Sequence, residues 1–310
     1  MKTIDYIYRF DPNNPSVKPP PEDVEVARRN LESGNRLFSE WMSSCRTGTF
    51  SQGEPRYVVQ CNGLEVGMVR THGALPKQAP FAVVVGCSDA RVPMEMLFGQ
   101  GFNDLFVIRV AGNVLADECW GSIDYALTAL SESIKVVVVL GHSGCGAVTA
   151  AVDAYLKPLK YSSAKTSFML RSILHRLFVP VHQAANGLLV EWGPGAPQMP
   201  GYRHALIESS VCLNTALAAY SLQLEVERGW RSEIQVLYGV YDLFTHQVCM
   251  PPCFSSADKE PRVNLAYAPT HPREFDKLAI EMASRLKEPS TTAISDLIQP
   301  TISSSDSPGR

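Results

Sequence analysis

Short, continuous apolar runs occupy the centre of the chain. Each is rich in valine and bounded by glycine or polar residues, which is typical of strands buried on both faces of a parallel sheet. Stretches with helical apolar spacing follow or separate these runs, and this alternation favours an α/β fold with a mostly parallel central sheet flanked by helices. The predicted strands cover residues 81–86, 105–110, 135–141 and 233–241, and the predicted helices cover residues 121–130, 166–189 and 209–227. A proline at position 180 predicts a break or kink in the second of these helices.

The two ends of the chain have a different composition from this centre. Residues 1–21 are polar and rich in proline, which predicts an extended N-terminal arm. An N-terminal helical arm follows over residues 24–41, with its apolar pattern interrupted at Gly34 and Asn35. From residue 288 the sequence is rich in Ser, Thr and Pro, which predicts a disordered tail over residues 288–310. One α/β domain is therefore expected over residues 22–287.

Two further segments are expected to add to that domain. Asn62 and Gly63 separate two β-prone runs, a pattern that favours a tight hairpin over residues 57–68. The long segment 155–203 contains a loop rich in glycine and proline at 193–197. The sequence does not indicate what either segment does.

Charge and hydropathy narrow the function classes. Lys and Arg total 28 against 31 Asp and Glu, so the formal charge is −3, and a nucleic-acid partner is not expected. The continuous apolar runs are far shorter than the roughly 20 residues of a membrane span, and the N-terminus has no apolar leader. We therefore expect no membrane partner and a cytoplasmic location. The eight cysteines are too sparse for a disulfide scaffold but sufficient for a metal site.

Chemically reactive side chains follow two of the predicted strands directly. Cys87, Asp89 and Arg91 follow the first strand, while His142 and Cys145 follow the third. Because sites in open α/β sheets form at the carboxyl ends of strands, we expect these side chains to meet. Two thiolates and one imidazole suit tetrahedral zinc, and three protein ligands leave one coordination position open. A redox or purely structural role for the two cysteines stays open at this point.

These motifs resemble those of the β-class carbonic anhydrases. The two signatures are Cys87-x-Asp89-x-Arg91 and His142-x-x-Cys145, and the resemblance continues over most of residues 22–248. It includes the strand and turn from Leu105 to Asn113, the helix around Ser122 to Ala126, Gly34-Asn35 with Phe38, and Tyr238 to Asp242. Relative to typical members, the hairpin at 57–68 and the segment 155–203 look like additions. The resemblance implies a zinc lyase that hydrates carbon dioxide reversibly to bicarbonate and a proton.

The resemblance also implies a role for each matching residue. Cys87, His142 and Cys145 are the expected zinc ligands, with one zinc per subunit. Asp89 and Arg91 are the expected catalytic pair: Arg91 holds Asp89 off the metal in an open form, and Asp89 itself ligates zinc in a closed form. The expected substrate-binding residues are Gln78, Phe106, Ala111 and Tyr125. A homodimer or higher homo-oligomer is implied, because the family's pocket is shared between subunits.

Two other functions remain possible for the same motifs. Some relatives hydrolyse carbonyl sulfide or carbon disulfide at such a site, and the sequence does not show which substrate has access. The other possibility is a non-catalytic interaction protein stabilised by zinc, although the presence of Asp89, Arg91 and Gln78 argues against it. The Cys-x3-Cys pair at 249 and 253 is interpreted as a loop with incidental cysteines.

Overall fold

A six-stranded, mostly parallel sheet forms the centre of the molecule in the computed structural model, which describes residues 4–11, 13, 19–49, 56–63, 75–158, 167–229, 233–250 and 264–287. The strands in chain order are β1 (Asp5–Phe10), β2 (Arg56–Cys61), β3 (Ala82–Gly86), β4 (Leu105–Arg109), β5 (Val136–His142), β6 (Gln235–Tyr241), β7 (Val248–Cys249) and β8 (Ala266–Tyr267). The helices are α1 (Val24–Thr47), α2 (Met94–Leu97), α3 (Asp117–Ala129), α4 (Gly146–Leu156), α5 (Phe168–Trp192), α6 (Tyr202–Gly229) and α7 (Arg273–Lys287).

The strand order of the central sheet is β4-β3-β5-β6-β7. β7 pairs with the end of β6, at Val240 and Tyr241, and β8 pairs with its middle, at Leu237 and Tyr238. The pairs β3–β4, β3–β5 and β5–β6 are parallel, whereas β7 and β8 run antiparallel to β6. The predicted α/β class with a mostly parallel sheet is therefore confirmed, and each of the four predicted strands lies within one or two residues of its expected bounds.

Alternate valines of the strands face two separate hydrophobic cores. Val83, Val85, Val137 and Val139 pack on one face with apolar residues of α3 to α7. Val84 and Val138 pack on the other face with α1 and α2. Because strand side chains alternate between faces, the continuous valine runs fill both cores at once.

Helix α5 lies in the long segment that the sequence marks as an addition. It runs from Phe168 to Trp192 through Pro180, so the predicted break is wrong. Its buried face packs against α4, α6 and α7, which makes it part of the core on that side of the sheet.

Helix α6 is long and apolar enough, by length and composition, to cross a membrane. However, 78% of its most apolar stretch of 18 residues is buried inside this molecule. It packs against β5 and β6 on the sheet and against α5 and α7 beside it. Its apolar length is thus accounted for by its position as a core helix.

The N-terminal segment forms a strand where the sequence predicts only an extended arm. β1 pairs in parallel with β2, the first strand of the predicted hairpin, from Asp5 opposite Arg56 to Phe10 opposite Cys61. Tyr6 stacks on Tyr57 with 5.2 Å between ring centroids and meets Trp41 of α1 edge-on. The second half of the predicted hairpin and the predicted tail at 288–310 lie outside the described residues.

Gly34 and Asn35 interrupt the apolar pattern of α1 because they are contact points, and the helix continues past them. A Cβ atom at Gly34 would lie 1.7 Å from the carbonyl oxygen of Phe98, so this position requires glycine. Asn35 is fully buried, donates to the carbonyls of Leu97 and His246, and accepts from the N–H of Val248. These contacts join α1 to the loops at the carboxyl end of the sheet.

We expect Gly34→Ala to lower the free energy of unfolding by at least about 2 kcal/mol, because the added methyl group meets backbone rather than a movable side chain. Gly121→Ala is the matched control, since Gly121 also lies in a helix but has no atom within 4 Å of the added Cβ. There the change is expected to be neutral or to stabilise by up to about 1 kcal/mol. Urea unfolding of both variants measures this, and equal midpoints would contradict the contact.

Candidate metal centre

The predicted ligands meet at the carboxyl ends of β3 and β5. These strands pair in register, with Gly86 opposite Leu140, so the residues that follow each strand emerge side by side. One ligand atom from each of Cys87, His142 and Cys145 lies within 4.8 Å of the others, and all three residues are buried. The sequence-based expectation that the two motifs meet is confirmed.

The distances within this group fit a tetrahedral zinc site. The Sγ atoms of Cys87 and Cys145 are 3.9 Å apart. Two thiolates on one tetrahedral zinc, each about 2.3 Å from the metal, would be about 3.8 Å apart. The group therefore has the spacing as well as the donor atoms that zinc prefers.

The orientation of His142 also fits a metal ligand. Its Nδ1 lies 3.0 Å from the carbonyl oxygen of Ser143, a contact that places the ring proton on Nδ1. Its Nε2 is buried and has no hydrogen-bond partner among the described residues. A buried, unprotonated ring nitrogen without a partner is unfavourable unless it binds a cation.

The two thiols are electrostatically coupled. Hydrogen bonds, chiefly the one from the Cys145 thiol and also one from the backbone N–H of Gly112, lower the pKa of Cys87 to about 4. The same contact, together with burial, raises the pKa of Cys145. Two adjacent buried thiolates require a positive charge between them, and a divalent cation supplies it. Cys145 also lies at the N-cap of α4, where the helix dipole favours a thiolate.

Asp89 lies beside this group in a fixed orientation. Its Oδ1 accepts from Nε of Arg91 at 3.0 Å and from the Arg91 backbone N–H at 2.9 Å, while Oδ2 accepts from Nη2 at 2.7 Å. Oδ2 is also 3.8 Å from Nε2 of His142. The hydrogen bonds from Arg91 hold the pKa of Asp89 well below its usual range, so its carboxyl group is ionised at neutral pH and acts only as an acceptor.

The sequence-based prediction assigned no role to the residues that hold the loop carrying Cys87 and Asp89 in place. Arg109, at the end of β4, donates from Nε to the carbonyl of Cys87 at 3.1 Å and from Nη2 to the carbonyl of Asp89. The N–H of Gly112 lies 3.3 Å from Sγ of Cys87 and donates to it. A charged residue at the end of a short apolar strand was a usable signal for Arg109. The donor at Gly112 belongs to the backbone and leaves no residue-type signal.

The four predicted substrate-binding residues lie in different surroundings. Phe106 and Tyr125 form a ring pair with 6.3 Å between centroids, and Ala111 precedes the glycine that contacts Cys87. Tyr125 is half exposed in the single chain. Gln78 is exposed in the segment before β3, where Asn103 hydrogen-bonds to the backbone of Lys77 and Ala79 on either side of it. The substrate roles of all four residues stay predictions.

Comparison with known proteins gives consistent matches to one family. The family model described as "Carbonic anhydrase" matches residues 82–191, which include all three candidate ligands, Asp89 and Arg91. A carbonic anhydrase of Mycolicibacterium smegmatis is 44% identical over 105 residues, which are 34% of this chain and 47% of that protein. A carbonic anhydrase of Emericella nidulans is 38% identical over 141 residues, 43% of this chain and 53% of that protein. The matched part thus spans about half the length of these curated relatives.

Solved structures give a weaker likeness. A tetrameric β-carbonic anhydrase of Sordaria macrospora is 23% identical to the chain, covers 56% of it and 81% of its own length, and has a TM-score of 0.43. A similarity of this size is too low to support a structural argument.

Proposed function

We propose that the protein is a member of the β-class carbonic anhydrase family and catalyses the reversible hydration of carbon dioxide to bicarbonate and a proton, on the support of the family match over residues 82–191. The observation that carries the proposal is the buried Cys87, His142 and Cys145 group with an oriented, ionised carboxylate beside it. A structural zinc site typically has four protein ligands, whereas this group has three and Arg91 holds the neighbouring carboxylate by two side-chain hydrogen bonds.

In the proposed reaction, side chains of this protein hold the zinc ion and orient the reacting water. A zinc ion held by the three ligands supplies Lewis-acid activation, which lowers the pKa of water from about 15.7 to about 7 in other zinc enzymes. Asp89 accepts a hydrogen bond from the reacting water and so directs its lone pair at the substrate carbon. Arg91 keeps that carboxylate in place, and Arg109 fixes the backbone that carries it.

Carbon dioxide also needs an apolar surface, because it is small and carries no net charge. We assign this role to Phe106, Ala111 and Tyr125, on the support of the ring pair formed by Phe106 and Tyr125 and the proximity of Ala111 to the Cys87 loop. Gln78 is proposed to donate a hydrogen bond to the substrate from the surface of a second subunit, which its exposed position permits.

Two assays on one zinc-loaded preparation test the proposed function. We expect carbon dioxide hydration, followed by stopped-flow with a pH indicator, to be fast. We expect little hydrogen sulfide to be released from carbonyl sulfide or carbon disulfide. Sulfide release without hydration would overturn the proposal in favour of the alternative substrates. The absence of both activities would overturn it in favour of a non-catalytic zinc protein.

We also propose that the protein is at least a homodimer and works in the cytoplasm. Exposed apolar side chains on α1 and α3, Leu37 and Tyr125, support self-association. Free thiols at Cys87 and Cys145, which must stay reduced to bind metal, support a reducing compartment. A mass of 34.0 kDa, that of one chain, in sedimentation equilibrium would refute the dimer. A tagged protein found in an oxidising compartment would refute the location.

A further inference from the structure

Two polar side chains of the core helix α6 form hydrogen bonds with the loops that carry or contact the candidate metal ligands. Glu208 is 4% exposed and Asn214 is 7% exposed, although α6 is otherwise buried mainly through apolar residues. Buried hydroxyls of the same helix behave differently. Ser210 and Thr215 donate to carbonyls of α6 itself, at Leu206 and Val211.

Glu208 holds the loop between the second and third ligands. Its Oε1 accepts from the N–H of Gly144 at 3.0 Å. Gly144 lies between His142 and Cys145 with a φ of +61°, a conformation that glycine adopts without strain. The other carboxylate oxygen, Oε2, is buried without a hydrogen-bond partner among the described residues. Burial raises the pKa of Glu208 to about 7, because a charged carboxylate is unfavourable in a buried position.

Asn214 holds the loop that contacts the first ligand. Its Nδ2 donates to the carbonyl of Gly112 at 2.8 Å. The N–H of the same glycine donates to Sγ of Cys87 at 3.3 Å. Gly112 is thus the only residue between Asn214 and Cys87 in this chain of contacts, just as Gly144 is the only residue between Glu208 and Cys145.

The helix is a rigid base for both contacts. Glu208 and Asn214 are six residues apart, about 9 Å along the axis. Between them and the site, α6 packs closely on β5, since a Cβ atom at Gly141 would lie 2.1 Å from Oγ1 of Thr215. One ligand loop can therefore move relative to the other only if one of these two hydrogen bonds, to Gly144 or to Gly112, lengthens or breaks.

We propose that Glu208 and Asn214 are positioning residues, which together form a brace on α6 that fixes the ligand loops after β3 and β5 relative to each other. The brace rests on the proposed metal centre, and it sets how long the metal is retained rather than taking part in the reaction. Partners of this kind that orient metal ligands typically alter metal affinity by 10–100-fold when they are removed.

The test is the rate at which the zinc-loaded protein releases its metal to excess 4-(2-pyridylazo)resorcinol, a coloured chelator, without substrate. We expect Glu208→Leu and Asn214→Ala each to release zinc at least about 10-fold faster than the unaltered protein. Glu208→Gln keeps an oxygen that can accept from Gly144, so its rate is expected to stay within about threefold. Each of the two loops is tested by its own variant. If one variant does not fold, the other variant still tests the proposal.

Leu222→Ala is the matched control for general destabilisation. Leu222 is fully buried on the same helix, 14 residues from Glu208, about 21 Å away. We expect this change to lower the unfolding midpoint without accelerating zinc release. Release from Leu222→Ala as fast as from the brace variants, or release from both brace variants at the unaltered rate, would overturn the proposal. Because no substrate is present, these results are independent of whether the protein hydrates carbon dioxide.

Discussion

Asp89→Asn is expected to reduce carbon dioxide hydration by about 100-fold or more while one zinc stays bound per chain. The amide removes the negative charge that the guanidinium of Arg91 holds in place through two side-chain hydrogen bonds. It also presents an NH2 group where the reaction needs an acceptor. Stopped-flow hydration and metal analysis of the same sample measure both quantities.

Asp153→Asn is the matched control for this change. Asp153 forms a similar two-bond pair with Arg203, at 2.7 and 2.8 Å, but on the exposed surface away from the ligands. An exposed ion pair contributes at most about 1 kcal/mol, so hydration is expected to be unchanged. Full activity of Asp89→Asn would remove Asp89 from the mechanism, and loss of zinc would make it a metal ligand rather than an orienting group.

Cys145→Ala is expected to have the other large effect, a loss of zinc affinity of more than about 100-fold together with loss of hydration. Cys145 contributes one of two sulfur atoms that are 3.9 Å apart in a buried group of three candidate ligands from the described part of the chain. Equilibrium dialysis against a zinc buffer measures the affinity. Circular dichroism of the same sample verifies that the fold is intact.

Cys119→Ala provides the control for removing a buried thiol. The Cys119 thiol is buried and donates to the carbonyl of Val114, but it is not part of the ligand group. Its removal is expected to leave zinc affinity unchanged. Equal zinc affinity of the Cys145 and Cys119 variants would show that the metal is bound elsewhere.

The sheet was predictable because its strands are buried on both faces. The apolar runs of β3, β5 and β6 are buried almost throughout and fill two cores at once, while the half-buried edge strand β4 was located by its short apolar run. The start of α6 was missed by seven residues, because its first turns carry polar residues such as Arg203 and His204 among the apolar ones. The pairing of β1 with β2 joins segments about 50 residues apart, and nothing local in a proline-rich arm indicates such a partner.

The ligand group was predictable for a different reason. Cysteine and histidine directly after buried strands are chemically conspicuous, and the register of a parallel sheet brings strand ends together. The residues that support the ligands are not conspicuous in this way. Glu208 lies within a helical apolar run and contacts Gly144 from 64 residues away, so only the packing of α6 on β5 reveals its partner.

Zinc titration of chelator-stripped protein, with hydration followed at each addition, tests the central claim most directly. The claim is that Cys87, His142 and Cys145 hold one zinc that is required for hydration of carbon dioxide. We expect the hydration rate to rise in proportion to added zinc and to level off at one zinc per chain. Full hydration before any zinc is added, or no hydration once one zinc is bound, would contradict it.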